Sequence, residues 1–152
     1  MADITIDLNQ YRVNLRVAGI VRREDEVLLC RALEDEWWYL PGGRIKTNED
    51  SLTALERELT EEIGPDFKVL RPVIAAENFF ELKGRHFHEL STYYEVAWHG
   101  DALSGDQEND LEEFVWCPLS QVADRSIKPD FVIPRILDPR PELELIVHRD
   151  NG

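Results

Sequence analysis

Three glutamates lie within five positions of one predicted helix and form the strongest candidate site in the sequence. Glu58, Glu61 and Glu62 belong to the stretch GGRIKTNEDSLTALERELTEEIGP, residues 42–65. Like charges three or four residues apart on a helix repel by about 0.2–0.5 kcal/mol per pair. Arg57 is the basic residue within the helix. We therefore infer that a group outside the helix neutralises this acidic cluster.

A hard divalent cation fits such a cluster. Mg²⁺ prefers oxygen ligands in a near-octahedral shell, and it binds through one or two carboxylates together with substrate phosphates. At about 100° per residue the three carboxylates share one sector of the helix, and a separate apolar stripe predicts packing against a sheet. The residues of that stripe are Leu52, Leu55, Leu59 and Ile63. An acidic run is more often only a solvated helix face, so the spacing of the whole segment must decide.

The spacing from Gly43 to Pro65 resembles the Nudix box, G-x5-E-x7-R-E-U-x-E-E-x-G-U, where U is a bulky aliphatic residue. The fixed positions are filled by Gly43, Glu49, Arg57, Glu58, Leu59, Glu61, Glu62 and Gly64. The last position departs, because Pro65 replaces the aliphatic residue. Seven identities and one aliphatic position in register over 23 residues form a specific signal. The flanking stretches WWYLPGG and EFVWCPLSQV also resemble Nudix hydrolases.

The resemblance implies a role for each box residue. Glu58 and Glu62 would bind Mg²⁺, or alternatively Mn²⁺, and Glu61 would be a ligand or the base. The carbonyl group of Gly42 would be a further ligand. Arg57 and Glu49 would support the site, because the arginine orients the glutamates and Glu49 holds the arginine.

The implied reaction is hydrolysis of a nucleoside diphosphate linked to another moiety. Water attacks one phosphorus and a glutamate takes its proton. Glu58 or Glu61 ranks first as the base, and Glu89, Glu112 and Glu113 outside the box are further candidates. A nucleoside triphosphate substrate of the MutT-like sort ranks slightly ahead of an ADP-ribose-type substrate. The alternative is a catalytically silent Nudix domain that senses a nucleotide or holds a protein partner.

Weaker candidates for substrate contact lie outside the box. They are Trp37, Trp38, Arg31, Glu77, Glu89 and Glu113. The two tryptophans could stack on a nucleobase, although aromatic residues in a short strand are more often core. Arginines such as Arg31, Arg16 and Arg85 could reach phosphates. The stretch with Glu77 resembles a hairpin that borders the cleft in some Nudix sequences.

The order of predicted elements indicates an α/β fold. Two hairpins are expected, around REDE (residues 23–26) and KGR (83–85), with a short strand through WWYL (37–40) and a Pro-Gly-Gly turn before the helix. A polar loop (100–113), a strand through FVWCPL, two short helices and a last strand follow. The resemblance implies a Nudix-type α/β/α sandwich with a mixed β-sheet and the box helix packed against it.

Composition and charge limit the classes of partner. The chain has 152 residues, which predicts a single domain over residues 1–152, and 31 acidic against 17 basic residues give a formal net charge of -14. This charge repels nucleic-acid polymers and anionic membranes, so we expect a small nucleotide substrate. Cys30 and Cys117 show no metal-binding or redox spacing. We expect a cytoplasmic protein, and the sequence leaves homodimer formation open.

Overall fold

The computed structural model describes residues 1–105 and 112–150, which form a mixed β-sheet with helical segments on both faces. The strands are β1 (Thr5–Leu8), β2 (Tyr11–Arg23), β3 (Glu26–Ala32), β4 (Gly42–Arg44), β5 (Phe67–Leu82), β6 (Arg85–Trp98), β7 (Glu112–Pro118) and β8 (Glu144–Arg149). The helices are α1 (Ser51–Ile63) and α2 (Ile133–Leu137). Two 3₁₀ segments, Leu119–Asp124 and Asp130–Val132, precede α2.

The described strands are arranged in the order β7-β3-β2-β6-β5-β8, and β1 and β4 also pair with β2. The β2–β6 and β5–β8 pairs are parallel, and the other pairs are antiparallel. The sheet is therefore mixed, as the resemblance implies. No described helix is long and apolar enough to cross a lipid bilayer.

The two faces of the sheet carry separate apolar clusters. On one face, Leu55, Leu59 and Ile63 of α1 pack against β2 and β6. On the other face, Val122, Val132 and Ile136 from the 3₁₀ segments and α2 cover the sheet. Side chains alternate between the faces along each strand, so each long central strand contributes to both clusters. The α/β/α sandwich that the resemblance implies is confirmed, although its second helical layer consists of short segments.

Helix α1 has defined caps at both ends. The Asp50 side chain accepts a hydrogen bond from the Thr53 N–H at 2.7 Å, which satisfies one of the free amide groups at the helix start. Gly64 ends the helix with φ 95°, a backbone conformation that favours glycine, and its N–H donates to the Thr60 carbonyl. These caps define the bounds of α1 at Ser51 and Ile63.

The buried face of α1 differs from the predicted apolar stripe. Leu52 is 42% exposed, whereas Ala54 is buried. Glu58 and Glu62 are partly buried beside the apolar residues. The strand under this part of the helix contains Gly42 and Gly43, which have no side chains, so glutamates can occupy the space. The prediction that Leu52 belongs to the buried stripe was wrong. The buried side of α1 is rotated about the helix axis, away from Leu52 and towards Ala54, Glu58 and Glu62.

Two local predictions before the helix were also wrong. Residues 37–40 form only isolated β-bridges and no strand. The backbone of Trp38 hydrogen-bonds with Ser126 and Lys128, whereas the backbone of Tyr39 hydrogen-bonds with Cys30. The Gly-Gly pair is the start of β4 rather than a turn, and β4 pairs with residues 16–18 of β2. Its glycines are needed for close contact, since a Cβ on Gly42 would lie 2.1 Å from the Val17 carbonyl oxygen.

The remaining predicted elements are confirmed with changes in detail. The hairpins turn at residues 24–25 and 83–84. The first of the two predicted short helices is the 3₁₀ segment Leu119–Asp124. The second consists of the 3₁₀ segment Asp130–Val132 followed by α2. Of the predicted polar loop, residues 106–111 lie outside the described residues, and residues 112–113 already belong to β7.

Candidate active site

A large cleft opens where strands β2 and β3 diverge. These strands pair only at Arg22–Val27 and Arg23–Glu26, and residues 38–44 then connect β3 to β2. The cleft encloses about 930 Å³, near the upper end of the usual range for ligand sites. Glu62 and Gly42 of the Nudix-like segment line this cleft.

Arg57 and Glu49 form a bidentate ion pair beneath the box helix. Arg57 Nε donates to Glu49 Oε2 at 2.7 Å, and Arg57 Nη2 donates to Glu49 Oε1 at 3.0 Å. The Glu49 side chain is only 4% exposed and also accepts from the Lys46 N–H. The hydrogen bonds from Arg57 lower the pKa of Glu49 to about 2. The planar guanidinium group therefore has a fixed orientation before any ligand binds.

The same guanidinium group positions Glu58. Arg57 Nη1 donates to Glu58 Oε1 at 3.0 Å, and Arg57 Nη2 donates to the Arg44 carbonyl at 3.2 Å. The Glu58 carboxyl group also lies directly against Gly43, where an added Cβ would come within 2.4 Å of Glu58 Cδ. Desolvation raises the pKa of Glu58, although Arg57 acts in the opposite direction.

Among the box glutamates, Glu62 has a buried carboxylate oxygen, Oε2, without a hydrogen-bond partner among the described residues. Desolvation, followed by the charges of Glu58 and Glu112, raises the pKa of Glu62 to about 9. The Gly42 N–H and Arg16 lower this pKa only in part. A buried acceptor of this kind is costly unless a cation or donor satisfies it.

Glu61 differs from the other two box glutamates. Its side chain is 57% exposed and lies 3.6 Å from Arg57 Nη1. Within residues 1–105 and 112–150, no three acidic, histidine or cysteine side chains converge closely enough to hold a cation by themselves. A cation here would therefore need backbone or substrate oxygens in addition to glutamates, as Mg²⁺ commonly does. The unsatisfied oxygen of Glu62 and the fixed Glu58 carboxylate fit such a partial shell.

The candidate glutamates outside the box have different surroundings. Glu89 and Glu112 line the cleft, and Glu112 is close enough to Glu62 to raise its pKa. Glu113 is ion-paired with Arg31 on the neighbouring strand. The lining of the cleft does not include Glu113 or Arg31.

The two candidate tryptophans, Trp37 and Trp38, also differ in whether they line the cleft. Trp37 is half-buried, lines the cleft, and has Lys128 Nζ 5.2 Å from its ring centroid. Trp38 is 9% exposed and packs in the core, with Arg31 and Arg125 over its ring. The structure therefore brings Trp37 but not Trp38 to the cleft.

Glu77 lies on the other face of the sheet from the cleft. Its exposed side chain follows the alternation of β5, in which Asn78 and Phe80 face the cleft instead. Arg85 is also away from the cleft lining and lies 3.4 Å from Asp7. Arg16 lines the cleft, as a phosphate-binding residue would require.

A row of four polar residues lies on the cleft floor, and of these only Glu89 is among the sequence-based predictions. Asn14, Glu89, Asn78 and His148 are neighbours across β2, β6, β5 and β8. Asn14 Nδ2 donates to Glu89 Oε2 at 2.8 Å, and His148 Nδ1 lies 3.0 Å from Asn78 Oδ1. Both asparagines are more than nine-tenths buried. The row can present hydrogen-bonding groups to a ligand in the cleft.

The sandwich fold, a cleft lined by Glu62 and the neighbouring Arg57–Glu49–Glu58 contacts define a Nudix-type domain. A family model described as the NUDIX domain matches residues 11–135. The chain therefore belongs to the NUDIX family.

Known relatives agree with this assignment. The chain is 30% identical over 120 residues to the CTP pyrophosphohydrolase of Escherichia coli K12, covering 74% of this chain and 82% of that protein. It is 43% identical over 63 residues to the RNA pyrophosphohydrolase of Ruthia magnifica, covering 41% of this chain and 35% of the relative's length. A NUDIX hydrolase structure from Nitrosomonas europaea superposes with a TM-score of 0.66 at 16% identity, covering 90% and 79% of the two chains, and shows the shared fold.

Proposed function

We propose that this protein is a metal-dependent hydrolase that cleaves the pyrophosphate linkage of a nucleoside diphosphate derivative in the cytoplasm. A nucleoside triphosphate ranks first as substrate and an ADP-ribose-type compound second. The observation that carries the proposal is the unsatisfied, buried Oε2 of Glu62 at the edge of a large cleft. The neighbouring Glu58 is held in place by Arg57.

Glu58 and Glu62 would hold the metal, with Glu61 and the carbonyl group of Gly42 as the further ligands that the box implies. Bound Mg²⁺ or Mn²⁺ would neutralise the bridging oxygens and the departing phosphate. A cation at this position also fits the electrostatics, because it would offset the desolvation of two neighbouring carboxylates.

Arg57 positions the Glu58 carboxylate, and a glutamate would accept the proton of the attacking water. Arg57 keeps the Glu58 carboxylate fixed through its own bidentate contact with Glu49. The proton of the attacking water would pass to Glu58 or Glu61, with Glu89 and Glu112 in the cleft lining as the candidates from outside the box. Positioning alone supplies a large part of catalysis in phosphoryl transfer.

The substrate's two ends would meet different parts of the cleft. Arg16 and Arg44 lie in the cleft lining with Glu62, where phosphates would be placed. Trp37 and the floor residues Asn78 and Glu89 would contact the nucleoside. The similarity to a CTP pyrophosphohydrolase over most of both chains supports a small nucleotide as substrate.

The test is a substrate panel assayed with Mg²⁺ or Mn²⁺ for release of phosphate, pyrophosphate and nucleotide products. The panel contains the nucleoside triphosphates, ADP-ribose and a 5′-triphosphorylated RNA oligonucleotide. We expect turnover of at least one small nucleotide, and loss of most of it in Glu62→Gln. The matched control is Glu56→Gln, an exposed glutamate of the same helix outside the fixed box positions. Equal activity of Glu62→Gln and Glu56→Gln would exclude Glu62 from the mechanism, and RNA as the preferred substrate would overturn the assigned substrate class.

A further inference from the structure

A series of hydrogen-bonded side chains connects strand β1 to the floor of the cleft. Thr5 lies opposite Asn14 across β1 and β2, and Asn14 lies opposite Glu89 across β2 and β6. Arg44 Nη1 donates to Thr5 Oγ1 at 3.0 Å, and Thr5 Oγ1 donates to Asn14 Oδ1 at 2.8 Å. Asn14 Nδ2 then donates to Glu89 Oε2 at 2.8 Å. These four residues, the Arg44–Glu89 network, join two side chains of the cleft lining.

The direction of every hydrogen bond in the Arg44–Glu89 network follows from Arg44. A guanidinium group has only donors, so the Thr5 hydroxyl group must accept from Arg44 and donate its one proton to Asn14. Asn14 therefore turns its carbonyl oxygen to Thr5 and its NH₂ group to Glu89, whose Oε2 atom accepts. Asn14 is only 4% exposed, so an amide group that lost these partners would be left buried without hydrogen bonds. The Thr5 hydroxyl group thus fixes the orientation of the whole network.

The two ends of the network hold neighbouring arginines of the cleft. Arg16 and Arg44 lie opposite each other across β2 and β4, and both line the cleft. Like charges directly opposite in a sheet are destabilising, so an acidic partner for each guanidinium group offsets their repulsion. Arg44 Nη2 lies 3.1 Å from Asp3 Oδ2, and Arg16 Nε lies 4.0 Å from Glu89 Oε1. Glu89 therefore contacts Asn14 through one carboxylate oxygen and Arg16 through the other.

Strand β1, which supplies Thr5, lies outside the part of the chain that identifies the family. The match to the NUDIX family model begins at residue 11, so Asp3 and Thr5 precede it. Backbone hydrogen bonds hold this segment in place, since the Ile4 N–H donates to the Ile45 carbonyl at 2.8 Å. The contact of β1 with Arg44 is thus a feature of this chain on which the family assignment does not depend.

We propose that Thr5 and Asn14 are positioning residues for the phosphate groups of the substrate. They hold Arg44 directly and Arg16 through Glu89. Two neighbouring guanidinium groups bind phosphate oxygens best when their donors converge, and the network restricts both groups before a ligand arrives. This inference rests on the proposed function, because it takes a nucleotide as the ligand of the cleft.

The first test removes the Thr5 hydroxyl group at nearly constant side-chain shape. Thr5→Val keeps a β-branched side chain that suits a strand, whereas Thr5→Ser keeps the hydroxyl group. We expect Thr5→Val to raise the KM of the best nucleoside triphosphate by about tenfold while kcat changes little, because a hydrogen bond to a charged binding group is lost. Thr5→Ser should restore a KM close to that of the wild type. Thr92→Val is the matched control, since Thr92 lies on the opposite face of β6 from Glu89.

The second test measures binding without turnover. A methylene-bridged, non-hydrolysable nucleoside triphosphate and the matching nucleoside monophosphate are titrated into each protein by calorimetry, with Mg²⁺ present. Asn14→Asp keeps the size of the side chain but places a carboxylate against Glu89 in place of a donor. Thr5→Val and Asn14→Asp should each weaken binding of the triphosphate by about tenfold and binding of the monophosphate much less, because the network acts on the phosphate side of the cleft.

The outcomes separate this inference from the proposed function. Equal KM values for Thr5→Val and Thr5→Ser, a fall in kcat at unchanged KM, or an equal loss of affinity for triphosphate and monophosphate would overturn the positioning role. A wild type that shows the expected binding pattern but hydrolyses no nucleotide would refute the proposed function alone, and one that does not bind the triphosphate would overturn both. Thermal unfolding is measured on the same samples, and Asn14→Asp tests the same network if Thr5→Val does not fold.

Discussion

Substitution of Gly43 by alanine tests how closely the chemistry depends on the position of Glu58. A Cβ on Gly43 would lie 2.4 Å from Glu58 Cδ and 2.5 and 2.7 Å from its two oxygens. Ordinary van der Waals contact starts at 3.4 Å, so the carboxylate must retreat by about 1 Å. The backbone at Gly43 is not in the left-handed region, and alanine adds no strain of that kind.

A displacement of about 1 Å in a catalytic arrangement costs about 100-fold in rate. We therefore expect Gly43→Ala to lower kcat/KM by about this factor, and to need more Mg²⁺ for half-maximal activity. The end of the Glu58 side chain can move, so stability should change much less than activity. The assay is steady-state turnover of the best substrate over a Mg²⁺ titration, with thermal unfolding measured on the same samples.

The matched control is Gly84→Ala in the turn between β5 and β6. A Cβ at Gly84 meets nothing within 4 Å, but the residue has φ 79°. Alanine in this conformation should lower the free energy of unfolding by about 1–2 kcal/mol without affecting turnover. Activity of Gly43→Ala equal to that of the wild type would refute the reasoning, because Glu58 would then work equally well from a different position.

Three further predictions follow from the same contacts. The pKa of Glu49 is lowered from 4.5 to about 2 by its pairing with Arg57, so this pairing stabilises the fold above the unfolded pKa. The stabilisation is lost as the pH falls through about 2. Glu49→Gln should therefore flatten the dependence of Tm on pH in this acid range, measured with a chelator present. Mg²⁺ or Mn²⁺ should raise the Tm of the wild type and much less that of Glu62→Gln, because a ligand that binds only the folded state stabilises it, and equal shifts would place the cation elsewhere. Tyr94→Phe removes the 2.6 Å hydrogen bond to Ser51 Oγ at the start of α1 and should cost about 1 kcal/mol in urea unfolding, whereas no change would show that this bond contributes nothing net.

The charged helix could be predicted from the sequence because its determinants are local. The caps at Asp50 and Gly64 lie next to the helix, and the spacing of Arg57, Glu58 and Glu62 is set by the helical repeat. The long hairpin of β5 and β6 could also be predicted, since its two strands and their turn are consecutive. The exposure of Leu52 could not be predicted, because it depends on which residues of the sheet lie beneath the helix.

Apart from Glu89, the floor of the cleft could not be predicted because it depends on long-range register. Asn14 and Asn78 come together only when β2, β6 and β5 pair in one particular alignment. The position of Glu77 outside the cleft lining has the same origin, since the stretch was correctly predicted as a strand but its side chains alternate between faces. A shift of one residue exchanges Glu77 for Asn78 at the cleft. The alternation of polar and apolar residues in β5 was a weak signal, because both faces of this strand carry polar residues.

The distribution of charge explains how a strongly acidic chain can accept an anionic substrate. Six of its 17 basic residues line the described cleft, together with six of its 31 acidic residues, so the cleft is close to neutral while the whole chain carries -14. The basic side chains in the lining are Arg12, Arg16, Arg44, Arg125, Lys128 and Arg149. Bound divalent cations would make the Glu62 side of the cleft more positive still. Local potential in a cleft, rather than net charge, governs the approach of a small ion, whereas a long polyanion also meets the repulsive surface around the cleft. This combination would suit the small nucleotide of the proposed function. Neutralising Arg16 should therefore impair binding of a nucleoside triphosphate more than neutralising Arg85 outside the cleft, as a comparison of KM values for Arg16→Gln and Arg85→Gln would show.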